Sequence, residues 1–504
     1  MTTISSPQTL LDLLEGAPGG RPAIVLPDEG ITVTYDSLRE QVRRAADTFS
    51  SAGIARGDRV AMAFPNGLPA IVCFLGASAA GTAAPLNPGY REEEFRFYLE
   101  DTSARLLVLP PEGADEARRA AGSSVPLMTA SCEGGQVRLS GDSGARSASR
   151  PSAEDVALVL HTSGSTGRPK RVPLKHGNLA VSVGNVIRTY DLTPEDVSLC
   201  VMPLFHVHGL VASLLATLAT GGTVVVPPRF NALGFWRVVQ DHDVTWYSAV
   251  PTMHQLLIAR LKGGERPGTG RLRFIRSCSA ALSPDTMSTM ERAFGVPVLE
   301  AYGMTEASHQ MASNPLPPGA RKAGSVGSGT GVRIGIMDAD GRLLQTGEQG
   351  EIVIQGLNVI QGYENNPEAN ASSFTNGWFR TGDQGFLDAD GYLTLVARIK
   401  ELINRGGEKI SPREIDEVLM AHPDVAEAVA FGVPHRMWGE EVAAAVVLRD
   451  QSTCTDAELV SYCRDRLAEF KCPKKIHVTQ TIPRTATGKI QRRVVAAAFA
   501  GDPA

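Results

Sequence analysis

The chain has 504 residues, 43% hydrophobic and 20% charged, enough to bury a large core and to build two or more domains. A formal net charge of -5 supplies no broad cationic field for nucleic acid or an anionic membrane surface. The seven cysteines are scattered with no C-x-x-C pair, which argues against a disulfide framework or a zinc site and fits a reducing compartment.

Met1-Thr2-Thr3-Ile4-Ser5 lacks the basic and apolar regions of a secretory signal, and the chain ends at Ala504 without a peroxisomal S-K-L address, so a cytoplasmic protein is expected. The uncharged stretches 61–90 and 201–228 are both cut by Pro, Gly, Asn or His. They predict buried helix followed by buried strand rather than membrane insertion. From roughly residue 20 to 330, short apolar runs such as Leu106-Leu107-Val108-Leu109 alternate with helical patterns. That alternation predicts an α/β class, with wound sheets covered by helices on both faces. Residues 331–398 read as a small β-rich subdomain that completes an N-terminal domain of 1–398. Residues 399–504 read as a compact α+β lid whose first helix starts at Ser411-Pro412-Arg413-Glu414.

Four motifs carry chemistry. Thr162-Ser163-Gly164-Ser165-Thr166-Gly167-Arg168-Pro169-Lys170 follows a predicted strand and concentrates hydroxyls, glycines and a cation. Such a loop can wrap phosphate oxygens, although a solvated Gly/Ser turn has the same composition, and no Walker A sequence occurs. Tyr302-Gly303-Met304-Thr305-Glu306 places an aromatic face, a hydroxyl and a carboxylate at a strand end, suited to a base, a phosphate and a magnesium ion. Asp383, in Trp378-Phe379-Arg380-Thr381-Gly382-Asp383, can accept bonds from ribose hydroxyls. Lys489 stands on the Gly turn of Pro483-Arg484-Thr485-Ala486-Thr487-Gly488-Lys489.

In this order and spacing the four motifs resemble the adenylate-forming superfamily of acyl-CoA synthetases, luciferases and adenylation domains, over about residues 10–493. The resemblance implies an AMP-forming acid:CoA ligase that uses ATP, Mg²⁺ and coenzyme A, with an active site between a large domain and a mobile lid. It implies a phosphate loop at Thr162, Ser163, Gly164, Ser165, Thr166, Gly167 and Lys170, and an adenine pocket at Ser279, Ala280, Ala281, Glu300, Ala301 and Tyr302. Thr305 would meet the α-phosphate, Glu306 the magnesium, and Asp383 and Arg398 the ribose. Lys400 would be the hinge and Lys489 the adenylation lysine. Gly406, Gly407 and Glu408 would line the pantetheine tunnel, with Lys471 near a CoA phosphate.

The runs Ser277-Cys278-Ser279-Ala280-Ala281 and Ser308-His309-Gln310-Met311 look like the oxalate–CoA ligase branch. By that likeness Ser279 and His309 would hold the distal carboxylate. His206 and His208, flanking Val207 at a strand or loop end, would orient the reacting end. Alternatives are a ligase for malonate, a coumarate-like or a medium-chain acid, or a stand-alone adenylating enzyme. Val250-Pro251-Thr252 is not followed by the Arg of malonate ligases, and no carrier domain follows Lys489. A non-catalytic nucleotide-binding module is disfavoured by Glu306, Asp383 and Lys489 together.

Overall fold

The computed structural model describes residues 8–141, 146–162, 169–261, 267–484 and 490–499. Two large sheets are built from the alternating segments. The first, of nine strands, is parallel from Pro22–Leu26 through Thr223–Val225, Val197–Leu199, Trp246–Ala249 and Phe274–Ser277 to Val298–Met304. Its edges are antiparallel hairpins, one of them pairing Val298–Met304 with His309–Ser313. The second, of seven strands, has a parallel centre and an antiparallel edge where Val156–Thr162 pairs with Lys170–Lys175. The uncharged stretches become buried elements, as expected: the helix Leu68–Ala80, whose residues from Ala70 to Ala80 are all buried, precedes the strand Thr82–Pro85. One connection was not anticipated. His208 opens a buried π-helix, His208–Leu215, rather than ending a strand or loop.

A third, five-stranded antiparallel sheet contains Arg333–Met337, Gly350–Gln355, Phe374–Thr375, Trp378–Leu387 and Leu393–Arg398. Its Ile336, Ile352, Ile354 and Phe379 join the same apolar core as the seven-stranded sheet. Residues beyond Ile403 enclose a separate core around Ile415, Leu419, Val442, Val446 and Ile476. This C-terminal unit is tied to the preceding sheet by a few polar contacts. Ser411 Oγ donates to the Val396 carbonyl at 2.8 Å and Arg413 to the Leu395 carbonyl at 2.8 Å. Ser411 therefore precedes the helix Pro412–Met420 as expected, but its hydroxyl makes no cap. The preceding strand has claimed it.

Gly303 shows why the second motif requires glycine. A Cβ there would lie 2.1 Å from the His309 carbonyl oxygen across the hairpin, with backbone on both sides. Gly303→Ala should cost about 1–3 kcal/mol through overpacking, read as a lowered melting temperature. An unchanged melt would show that the hairpin relaxes freely.

Candidate active site

The cleft opens where ligands collect in wound sheets, beyond the carboxyl ends of parallel strands. Trp246–Ala249 leads to Pro251, Phe274–Ser277 to Ser279, and Val298–Met304 to Thr305. A cavity of about 320 Å³ is lined by Ser279, Ala280, Ala281, Glu300, Ala301, Tyr302, Asp383 and Arg398. Every residue expected to hold adenine or ribose therefore meets in one space. The C-terminal unit closes its far wall with Arg413, Asp416, Glu417, Arg484 and Arg492.

Asp383 organises this space. It pairs across strands with Arg398, whose Nε donates to Asp383 Oδ1 at 2.8 Å and Nη2 to Oδ2 at 3.2 Å. The Tyr302 hydroxyl donates to the same Oδ2 at 2.5 Å. Asp383 keeps Arg398 firmly charged, while burial, reinforced by Asp383, holds the Tyr302 phenol protonated.

Thr305 and Glu306 form the short 3₁₀ turn after Tyr302 and are both buried. Burial raises the Glu306 carboxyl; Tyr363, donating to Oε1 at 2.9 Å, and the charges of Arg398 and Lys170 oppose that rise. Tyr363 was not anticipated from sequence. It also carries the Lys170 ammonium over its ring, 4.5 Å from the centroid. Burial lowers the Lys170 pKa against the pull of Glu306, with Lys400 adding to the lowering. Thr162, paired with Lys170, brings the phosphate-loop end here. Ser163, Gly164, Ser165, Thr166 and Gly167 lie outside the described residues, as does Lys489. Both flanks of the lysine segment, Arg484 and Ile490, bridge to each other and line the cavity.

Lys400 sits exposed in the turn Ile399–Glu401, whose Glu401 pairs with Arg492 of the C-terminal unit at 3.2 Å. Gly406, Gly407 and Glu408 form an exposed hairpin tip that does not line the cavity. Lys471, expected near a CoA phosphate, is bound to both oxygens of Glu414 at 2.8 Å.

Behind Ser279 lies a buried polar cluster. His208 Nδ1 is 3.0 Å from Ser279 Oγ, and its Nε2 is 2.6 Å from Ser248 Oγ. The ring of His309 stacks on His208 at 5.3 Å, with its own Nε2 buried and unpartnered among the described residues. His206, partly buried, accepts the His208 N–H on Nδ1 at 3.2 Å. Burial, and then the guanidinium of Arg276, hold His208 and His309 neutral. The positive charge of this region is therefore Arg276, which the sequence reading missed. Its signal was a charged residue inside the apolar strand Phe274–Ser277.

Glu300 is the other strained charge. One carboxylate oxygen accepts the Leu282 N–H at 2.9 Å and the other has no partner among the described residues. Burial pushes its pKa up to about 7, with Arg413 and Glu417 exerting smaller, opposite effects. An ordinary unfolded carboxyl titrates at about 4.3. The folded chain therefore holds a proton that the unfolded chain releases, and stability from this site is lost as pH rises between the two values. Glu300→Gln removes that loss. Relative to wild type it should gain about 1–3 kcal/mol between roughly pH 5 and pH 8 in urea unfolding; a pH-independent offset would contradict the assignment.

Comparison with known proteins agrees with this geometry. The AMP-binding enzyme pattern matches residues 14–364, and the AMP-binding enzyme C-terminal domain matches residues 414–489. The chain is 48% identical to an oxalate–CoA ligase of Arabidopsis thaliana, covering 94% of each chain. It is 43% identical to an oxalate–CoA ligase of Saccharomyces cerevisiae, over 95% of this chain and 94% of the relative. The ATP-bound structure of MatB from Rhodopseudomonas palustris superposes with a TM-score of 0.90 at 32% identity, covering 98% of this chain and 99% of that one. The chain belongs to the AMP-binding enzyme family.

Proposed function

We propose that this protein activates oxalate with ATP, forming oxalyl-adenylate and pyrophosphate, and then transfers the oxalyl group to coenzyme A with release of AMP. The observation that carries the substrate assignment is the buried polar cluster of Ser279, His208, His309 and Arg276 where a long-chain acid would need an apolar wall. A second carboxylate buried without donors would cost several kcal/mol, and this cluster supplies both donors and positive potential. Two relatives named as oxalate–CoA ligases support the same reading.

In the first step a carboxylate oxygen attacks the α-phosphorus and pyrophosphate leaves. Tyr302 and Glu300 border the space for the base, and the Asp383–Arg398 pair that for the ribose. Lys170, at the Tyr363 ring, faces the phosphates, with Thr305 reaching the α-phosphate. The buried carboxylate of Glu306 would hold a magnesium ion, which would offset charge as two anions meet. In the second step the CoA thiolate attacks the acyl carbon and AMP departs. Arg484 and Ile490 at the cavity support the adenylation orientation of the lid; a turn about Lys400 would bring Gly406, Gly407 and Glu408 to the cleft and carry the Lys471–Glu414 pair with them. Seven free thiols support a reducing, cytoplasmic setting, and among the described residues no helix is long and apolar enough to cross a membrane.

Two measurements test this. Lys489→Ala should slow adenylate formation by about 10²–10³-fold and spare thioester formation from supplied oxalyl-AMP; equal loss in both half-reactions would refute the two-orientation scheme. Across oxalate, malonate, acetate, octanoate and 4-coumarate, oxalate should give the highest kcat/KM. Ser279→Ala and His309→Ala should each lower the oxalate value by about 10–100-fold. Another acid ranking first would leave only the general ligase activity.

A further inference from the structure

Arg276 is fully buried, and among the described residues it forms no ion pair; its partners are neutral. Nε donates to the Tyr190 hydroxyl at 2.8 Å, Nη2 to Gln310 Oε1 at 3.0 Å and Nη1 to Ser248 Oγ at 2.9 Å. Burying a guanidinium among neutral acceptors is expensive, and apolar residues would fill this interior at lower cost. The charge therefore calls for a role beyond packing.

A guanidinium can only donate, so it imposes a direction on each bond that follows. Ser248 accepts from Arg276, and its own hydrogen passes to His208 Nε2, 2.6 Å away. A hydrogen on Nε2 would instead confront the Arg276 Nη1 donor at 3.5 Å. Neutral His208 thus carries its hydrogen on Nδ1 and donates to Ser279 Oγ at 3.0 Å. Ser279 accepts there, and its hydroxyl hydrogen is left for the cavity that it lines. With the chain reversed, Ser279 would turn lone pairs towards an anion.

We propose that Arg276 is a positioning residue for the acid: through Ser248 and His208 it orients the Ser279 hydroxyl as a donor to the substrate's second carboxylate. The role in catalysis rests on the oxalate reading above; the direction of the hydrogen-bond chain does not.

The direction is measured on the ligand-free protein by ¹⁵N NMR of labelled histidines, with His208 assigned from its absence in His208→Gln. The expected result is the neutral Nδ1–H tautomer in wild type and its loss or mixing in Ser248→Ala. An Nε2–H tautomer in wild type overturns the proposal. Steady-state assays then separate positioning from packing. Ser248→Ala should raise the KM for oxalate about 10-fold, and Arg276→Met about 100-fold, with the KM for ATP unchanged. Arg276→Lys, which keeps one donor for Ser248, should recover part of the loss. If oxalate and ATP constants move together, or Ser248→Ala leaves oxalate unaffected, Arg276 is a packing residue and the proposal fails. A wild-type enzyme that ignores oxalate refutes the substrate reading, while the tautomer still decides the chain's direction.

Discussion

The contact on which the cleft depends is the shared grip of Tyr302 and Arg398 on the Asp383 carboxylate. Tyr302 belongs to the nine-stranded sheet, while Asp383 and Arg398 are cross-strand partners in the small antiparallel sheet. Three residues from two sheets are thereby locked at one point, and the chain enters the Ile399–Glu401 turn immediately afterwards. The Tyr302 side of the cavity is thus pinned by three side chains immediately before that turn. Any movement of the C-terminal unit starts from a fixed base.

Charge is distributed unevenly around that base. Glu300 and Glu306 are buried acids near Tyr302, while Arg276 is a buried cation behind Ser279. In each case burial works against the ionised form, and neighbouring groups offset it only in part for Glu300 and Glu306. On the function proposed above, a magnesium ion, a base amine and a second substrate carboxylate would be the complementary groups. Buried charges of this kind mark where a polar ligand group would gain most.

The fold class, and the meeting of Ser279, Glu300, Tyr302, Asp383 and Arg398 in one cavity, were legible because their signals are local. Apolar runs alternating with helices specify wound sheets, and Tyr302-Gly303-Met304-Thr305-Glu306 carries its turn and its chemistry within five residues. The acid site was only partly legible. Ser279 and His309 stand in recognisable runs, but Ser248, Arg276, Tyr190 and Gln310 come from three strands and a helix, and only the packed sheet joins them. The same limit applies to Ser411. A helix-start pattern cannot reveal that a carbonyl of the neighbouring strand will take its hydroxyl. Tyr363 likewise gains its meaning only by standing between Lys170 and Glu306.

The hairpin tip at Gly406 has an optical consequence. A Cβ there would meet the Trp438 ring at 2.9 Å, and Gly406 N–H donates to the Trp438 carbonyl at 2.8 Å, so this indole travels with the tip. Trp246 and Trp378 are buried and Trp236 is half-buried, whereas Trp438 is 42% exposed. A lid that swings the tip into the cleft would carry Trp438 from water towards protein. With such a motion the chain would hold its own fluorophore on the moving part, and the colour of its emission would follow the catalytic cycle without a label.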